Sequence, residues 1–134
     1  MSEENIEAVR RLFSYWERGE WQASADLFHP DFEAVFSATA FPDPGTYRGA
    51  DNTLDAWRSW LEAWDAFSLE LEEVIDVVDG RVVALNRLRG RGKASGIATD
   101  KEVGAIFDFA DSRIARMEFC DRRHALEAAE QRHE

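Results

Sequence analysis

The chain has a single cysteine, Cys120, in 134 residues, so no disulfide can close within it and no paired-cysteine metal site can be built. Histidine is nearly as scarce, with three residues and no metal-ligand spacing. No metal and no cofactor is expected. Basic residues are in the minority: 16 Lys and Arg face 27 Asp and Glu, a formal net charge of -11. That balance makes nucleic acid and anionic membrane surfaces poor partners. There is no long apolar run, and the start, Met1-Ser2-Glu3-Glu4, lacks the layout of a signal peptide. The expectation is a soluble, cytoplasmic protein. No glycine-rich phosphate loop joins a strand to a helix, and no Gly-x-Ser-x-Gly elbow is present. Proline is confined to Pro30, Pro42 and Pro44, and Pro42-Asp43-Pro44-Gly45 reads as a loop.

What is present fits one globular domain over 1–134, with ample apolar and aromatic content for a core. Ile6, Val9, Leu12, Phe13 and Trp16 recur at helical spacing, with Ser2 as a candidate N-cap and Gly19 as a stop. Trp21, Ser24, Ala25, Leu27 and Phe28 mark a short second helix ended by Pro30, and 32–37 reads as a strand. Leu54, Trp57, Trp60, Leu61 and Trp64 form the stripe of a third helix. Asp79-Gly80 between two apolar-rich runs predicts a two-residue hairpin turn. Counting outward pairs Val77 with Val82, Ile75 with Ala84, Glu73 with Asn86 and Leu71 with Leu88, while Glu72 meets Arg87 and Glu70 meets Arg89 on the other face. Further strands over 97–109 and 113–121 and a short final helix complete the order. Helices first and a four-strand meander last predict an α+β fold with helices on one side of a curved sheet.

That order, with Leu27-Phe28-His29-Pro30-Asp31, then Gly45-Thr46-Tyr47-Arg48-Gly49 and later Ile114-Ala115-Arg116-Met117-Glu118 before Asp121-Arg122, resembles the SnoaL-like branch of the nuclear transport factor 2 superfamily. The resemblance covers nearly the whole chain. It implies a cone-shaped, strongly bent mixed β-sheet wrapped around N-terminal helices and enclosing one pocket. Polyketide cyclases, ketosteroid isomerase, limonene epoxide hydrolase, scytalone dehydratase and non-catalytic carriers share that fold, so the fold alone implies no reaction. At the positions matching the ketosteroid isomerase acid, base and tyrosine, this chain carries Ala105, Phe36 and Leu12, which disfavours that chemistry.

Strand alternation supplies the inward side chains. The expected lining of a pocket for a small apolar molecule is Leu12, Trp16, Phe36, Tyr47, Trp57, Trp60, Glu73, Asn86, Leu88, Ala105, Phe107, Met117 and Phe119. The same residues would also serve as a solid core.

Asp121 is the catalytic candidate. The resemblance places an aspartate serving as general acid/base at the end of the last strand, and burial among Met117, Phe119 and Trp16 would raise its pKa. It also directly precedes the final helix, where an aspartate is a preferred N-cap and would be held ionised. Glu73 and Asn86 could together hold a ligand carbonyl or hydroxyl, or simply satisfy each other. Tyr47 and Arg48 could reach the mouth of the cone. His29, in His-Pro-Asp, reads as a backbone-bonding residue, and Cys120 alternates to the outer face. Arg87, Arg89 and Arg91 read as a salt-bridged outer stripe with Glu70, Glu72, Asp100 and Glu102.

Three readings follow. One is a cofactor-independent acid/base enzyme of cyclase, isomerase or hydrolase type using Asp121; a second is a binding or carrier domain with the same pocket. The third is an interaction domain that forms a homodimer through an outer apolar strip of Val74, Val83 and Leu85.

Overall fold

The computed structural model describes residues 2–36, 45–77 and 80–130, apart from the side chains of Ser2, Gln22 and Trp60. Helix α1 (Ser2–Glu17) is followed by a short 3-10 segment (Gln22–Leu27) and strand β1 (Phe28–Phe36). Strand β2 (Gly45–Arg48), helix α2 (Ala50–Glu62) and strands β3 (Trp64–Asp76), β4 (Val82–Gly92), β5 (Ala98–Ala110) and β6 (Arg113–Asp121) come next, then helix α3 (Arg122–Ala129). The six strands form one mixed, unclosed sheet in the order β2-β1-β6-β5-β4-β3. The pair β1–β6 is parallel and the others antiparallel. This is the expected cone-like α+β architecture, meander included. No helix among the described residues is long and apolar enough to cross a membrane.

Alternation along the strands splits the core in two. The inner face carries Val82, Ala84, Leu88, Val103, Ala105, Phe107, Met117 and Phe119, closed by Val9, Leu12, Phe13 and Trp16 of α1 and Trp57 of α2. The outer face carries Ile75, Val83, Leu85, Ile106 and Cys120, covered by Ala125 and Ala129 of α3. The last helix therefore lies on the opposite side of the sheet from the first two, where sequence order alone had placed them together. It also covers two members of the strip expected to meet a second copy. Val83 and Leu85 are 0 % and 1 % exposed in the single chain, and Val74 packs against the inner cluster instead.

The β3–β4 hairpin departs from the expected register. Val77 N–H donates to the Arg81 carbonyl at 2.9 Å, so three residues separate the arms rather than two. Residues 78–79, the second of them in the expected Asp79-Gly80 turn, lie outside the described set. Ile75 then faces Val83 and Asp76 faces Val82, one step from the counted pairing, which sends Ile75 and Val77 to the outer face. A bulge between Leu71 and Glu73 adds a second step, so Leu71 pairs Asn86 and Leu69 pairs Leu88. Glu73 now opposes Leu85 and is exposed. The expected Glu73–Asn86 pair does not form, because one extra residue in a period-two strand exchanges its faces. The charge partners survive the slip: Arg87 reaches Glu72 at 3.8 Å and Arg89 reaches Glu70 at 3.9 Å. Arg87 also meets Asp100 at 2.6 Å, and that hydrogen bond holds the Asp100 carboxyl below its ordinary value.

Elsewhere the elements differ at their edges. Strand β1 starts at Phe28 and includes Pro30, with its pairing to β6 interrupted between Phe28 and Glu33. Proline has no N–H to donate to a ladder. Gly45–Arg48, expected as a loop leading into a helix, is an edge strand against β1. The turn after β5 falls at Asp111-Ser112, both at positive φ, in the gap between the strands expected over 97–109 and 113–121.

Candidate functional site

The inner face, α1 and α2 meet in an aromatic box. Trp57 lies nearly parallel to Phe119 (5.8 Å between ring centroids, 11°) and to Phe36 (6.0 Å, 20°). Phe36 in turn stacks on Phe119 at 5.6 Å and 12°. Trp16 closes the box against Trp57 at 5.7 Å and against Trp21 at 5.7 Å. Each ring arrives from its own element: α1 gives Trp16, β1 gives Phe36, α2 gives Trp57 and β6 gives Phe119.

A cavity of about 10 Å³ remains inside, lined by Trp16, Ser24, Phe28, Phe36, Thr53, Leu54, Trp57, Met117 and Phe119. It is about large enough for one water molecule. No titratable side chain is among these lining residues. The two hydroxyls already donate to backbone: Ser24 Oγ to the Trp21 carbonyl at 2.6 Å and Thr53 Oγ1 to the Gly49 carbonyl at 2.9 Å. The two indoles do not. Trp16 Nε1 and Trp57 Nε1 are buried with no acceptor among the described residues, and Asn86 Oδ1 is a buried acceptor with no donor. Buried polar groups in native proteins are nearly always partnered, and two of these three atoms belong to side chains that line the cavity.

Five of the expected pocket residues line this cavity: Trp16, Phe36, Trp57, Met117 and Phe119. Leu12, Leu88, Ala105 and Phe107 are buried in the same inner cluster but fill it rather than bound the void. Tyr47 is half-buried and packs edge-on against Phe36 at 5.7 Å. Asn86 is buried on the inner face, with Nδ2 donating to the Ala84 carbonyl at 3.3 Å. Trp60 lies on α2 with its side chain outside the described set. Ser24, Phe28, Thr53 and Leu54 complete the lining without having been expected there. Leu54, Phe28 and Ser24 belonged to the stripes read as helices, whereas Thr53 carried no signal.

Asp121 is the N-cap of α3, its Oδ1 accepting the His124 N–H at 2.7 Å. It does not line the cavity. His29 Nδ1 accepts the Asp31 N–H at 3.0 Å, leaving Nε2 to donate to Asp111 at 3.2 Å, a structural tie between β1 and the β5–β6 turn. Arg48 is exposed and meets Glu33 at 3.3 Å. Cys120 is fully buried on the outer face, and burial pushes its thiol up to about 12, with Glu118 and Asp121 adding to the shift. A thiol so placed is protonated at neutral pH and is no nucleophile.

Sequence and structure comparisons agree with this geometry. The profile of the SnoaL-like domain family matches residues 9–117. An uncharacterised protein of Mycobacterium tuberculosis is 30% identical over 114 residues, covering 84% of this chain and 85% of the relative. A solved NTF2-like protein from Burkholderia thailandensis E264 superposes with a TM-score of 0.80 at 23% identity, over 95% of this chain and 97% of the other. TerC, solved with polyporic acid, superposes with a TM-score of 0.74 at 20% identity, over 95% and 98% of the two chains.

Proposed function

The chain belongs to the SnoaL-like domain family, and from that premise we propose that it binds a flat, largely apolar small molecule carrying a carbonyl-type oxygen, as a binding domain rather than an acid/base enzyme. The observation that carries this reading is that Trp16 and Trp57, whose buried indole N–H groups have no acceptor among the described residues, both line an aromatic cavity with no titratable side chain among its described lining residues. Two donors without an acceptor among the described residues favour an acceptor oxygen in a ligand, and stacked rings favour a planar body. A cavity of about 10 Å³ means that the rings part to admit the guest. A planar ligand slipped between them replaces ring–ring contact by ring–ligand contact, which limits the cost of opening. The carboxylate of Asp121 is engaged as a helix cap, which supports binding over proton transfer.

Polyporic acid, the compound present with TerC, is a suitable first probe because it is flat and rich in acceptor oxygens. Calorimetric titration and thermal shift are expected to show binding that stabilises the native state. Trp57→Phe, which keeps a ring and removes the donor, is expected to weaken binding about fivefold, the worth of one hydrogen bond of about 1 kcal/mol. Asp121→Asn is expected to leave affinity unchanged. Affinity indifferent to both Trp16→Phe and Trp57→Phe would defeat the reading, and turnover abolished by Asp121→Asn would establish the enzyme instead.

A further inference from the structure

A second cleft lies on the other side of the sheet, where α3 leaves the outer face partly open. Its volume is about 270 Å³, and it is lined by Arg81, Ile106, Arg116, Glu118, His124, Glu127 and Ala128. At about 30 Å³ per water in the liquid, that is room for roughly nine waters or a small organic molecule. Ile106, 4 % exposed, and half-buried Ala128 offer an apolar floor.

The hydrogen-bonding inventory of this cleft is unbalanced. Both oxygens of Glu118 are engaged, Oε1 by Arg116 Nη1 at 3.2 Å and Oε2 by His124 Nε2 at 3.2 Å. Glu127 is drawn to Arg123 at 3.7 Å. Arg116 is fixed a second time through Nε to Glu33 Oε1 at 3.4 Å, which leaves its Nη2 over. Arg81 is anchored through Nε alone, to Asp108 Oδ1 at 2.8 Å, and neither of its Nη groups has a partner among the described residues. Glu118 is thus saturated and Glu127 is held only loosely and largely exposed, while guanidinium donors remain, those of Arg81 oriented by the Asp108 anchor.

From this we infer that the outer cleft is a binding site for a small organic carboxylate, its anionic end on the Arg81 fork beside Arg116 and its apolar body on Ile106 and Ala128. A guanidinium presents parallel N–H groups at the spacing of a carboxylate, which an ammonium does not. The site is separate from the aromatic cavity, and the inference does not rest on the function proposed for that cavity.

The test is an amide- and indole-resolved NMR titration of the full chain with sodium benzoate, neutral benzamide and inorganic phosphate. Benzoate is expected to shift the amide signals of Ile106, His124 and Ala128 with millimolar or better affinity while the indole N–H signals of Trp16 and Trp57 stay in place. Arg81→Gln is expected to weaken it at least tenfold, and Arg81→Lys, which keeps the charge but not the fork, several-fold. Benzamide binding as well as benzoate would overturn the inference, as would phosphate binding equally well, since the apolar floor would then play no part. Benzoate shifts confined to the indole signals, or unchanged affinity in a folded Arg81→Gln protein, would overturn it too.

Discussion

Asn86 is fully buried, yet among the described residues its amide makes one long hydrogen bond, to the Ala84 carbonyl, and Oδ1 has no donor. A buried acceptor in that state forfeits its hydration without recompense. Replacing it with an apolar side chain of similar size, Asn86→Leu, is therefore expected to stabilise the ligand-free protein by about 1 kcal/mol. Urea unfolding would check this, and a destabilisation of that size would mean that the amide has a partner in solution. Trp16 and Trp57 belong to the same argument. That both face inward was legible from helical spacing, but the lack of an acceptor for either nitrogen was not. A hydrogen-bond deficit is a property of what surrounds an atom, and sequence lists only what the atom is. Asp121 makes the converse point. The residue was singled out correctly as a carboxylate at the strand–helix junction, with capping and proton transfer both open. The 2.7 Å bond from the His124 N–H shows that the capping half of that pair is realised.

At the level of elements, α3 packs on the outer face through Ala125 and Ala129 and comes closest to a glycine backbone at Gly104. A Cβ added at Gly104 of β5 would run into the Ala125 side chain, with the Asp121 carbonyl next nearest at 3.3 Å. Gly104→Ala is expected to push α3 away and destabilise the fold by about 1–3 kcal/mol, as overpacking does. Asp121→Ala, which removes only the cap, is expected to cost about 1 kcal/mol. Hydrogen exchange would separate the two: Gly104→Ala should expose the amides around Cys120 and Ile106 beneath the helix, whereas Asp121→Ala should loosen the first turn alone. If Gly104→Ala left those amides protected, the tight α3–β5 contact would not govern docking. The β3–β4 hairpin shows why element edges are harder to read than element types. Alternation announced two strands and their charged partners, and both are there. The bulge between Leu71 and Glu73 carries no sequence signature, since a bulged residue is chosen by sheet twist and by packing on both faces.

For the molecule as a whole, charge is the dominant collective property. With 27 acidic against 16 basic residues, many carboxylates have no cation to pair with, and self-repulsion opposes compaction. The ion pairs that do form on the outer stripe are largely half-exposed, with Arg89 and Glu70 exposing 50% and 58% of their side chains, and such pairs contribute little individually. Screening the net repulsion should therefore outweigh screening the pairs. The melting temperature is expected to rise between about 10 mM and 0.5 M NaCl, where the Debye length falls from about 30 Å to well under 10 Å. A fall measured by calorimetry would show that the paired charges dominate. Composition, apolar periodicity and a few ordered motifs determined by themselves that this chain makes one α+β fold with an aromatic inner face, because those signals are local and repeat along the backbone. Tertiary structure alone decided which side of the sheet α3 covers, that Glu73 leaves the interior, and that the inner void is bounded, among the described residues, by two indoles without acceptors and by no acid. Those outcomes depend on atoms brought together from distant segments, which no local pattern encodes.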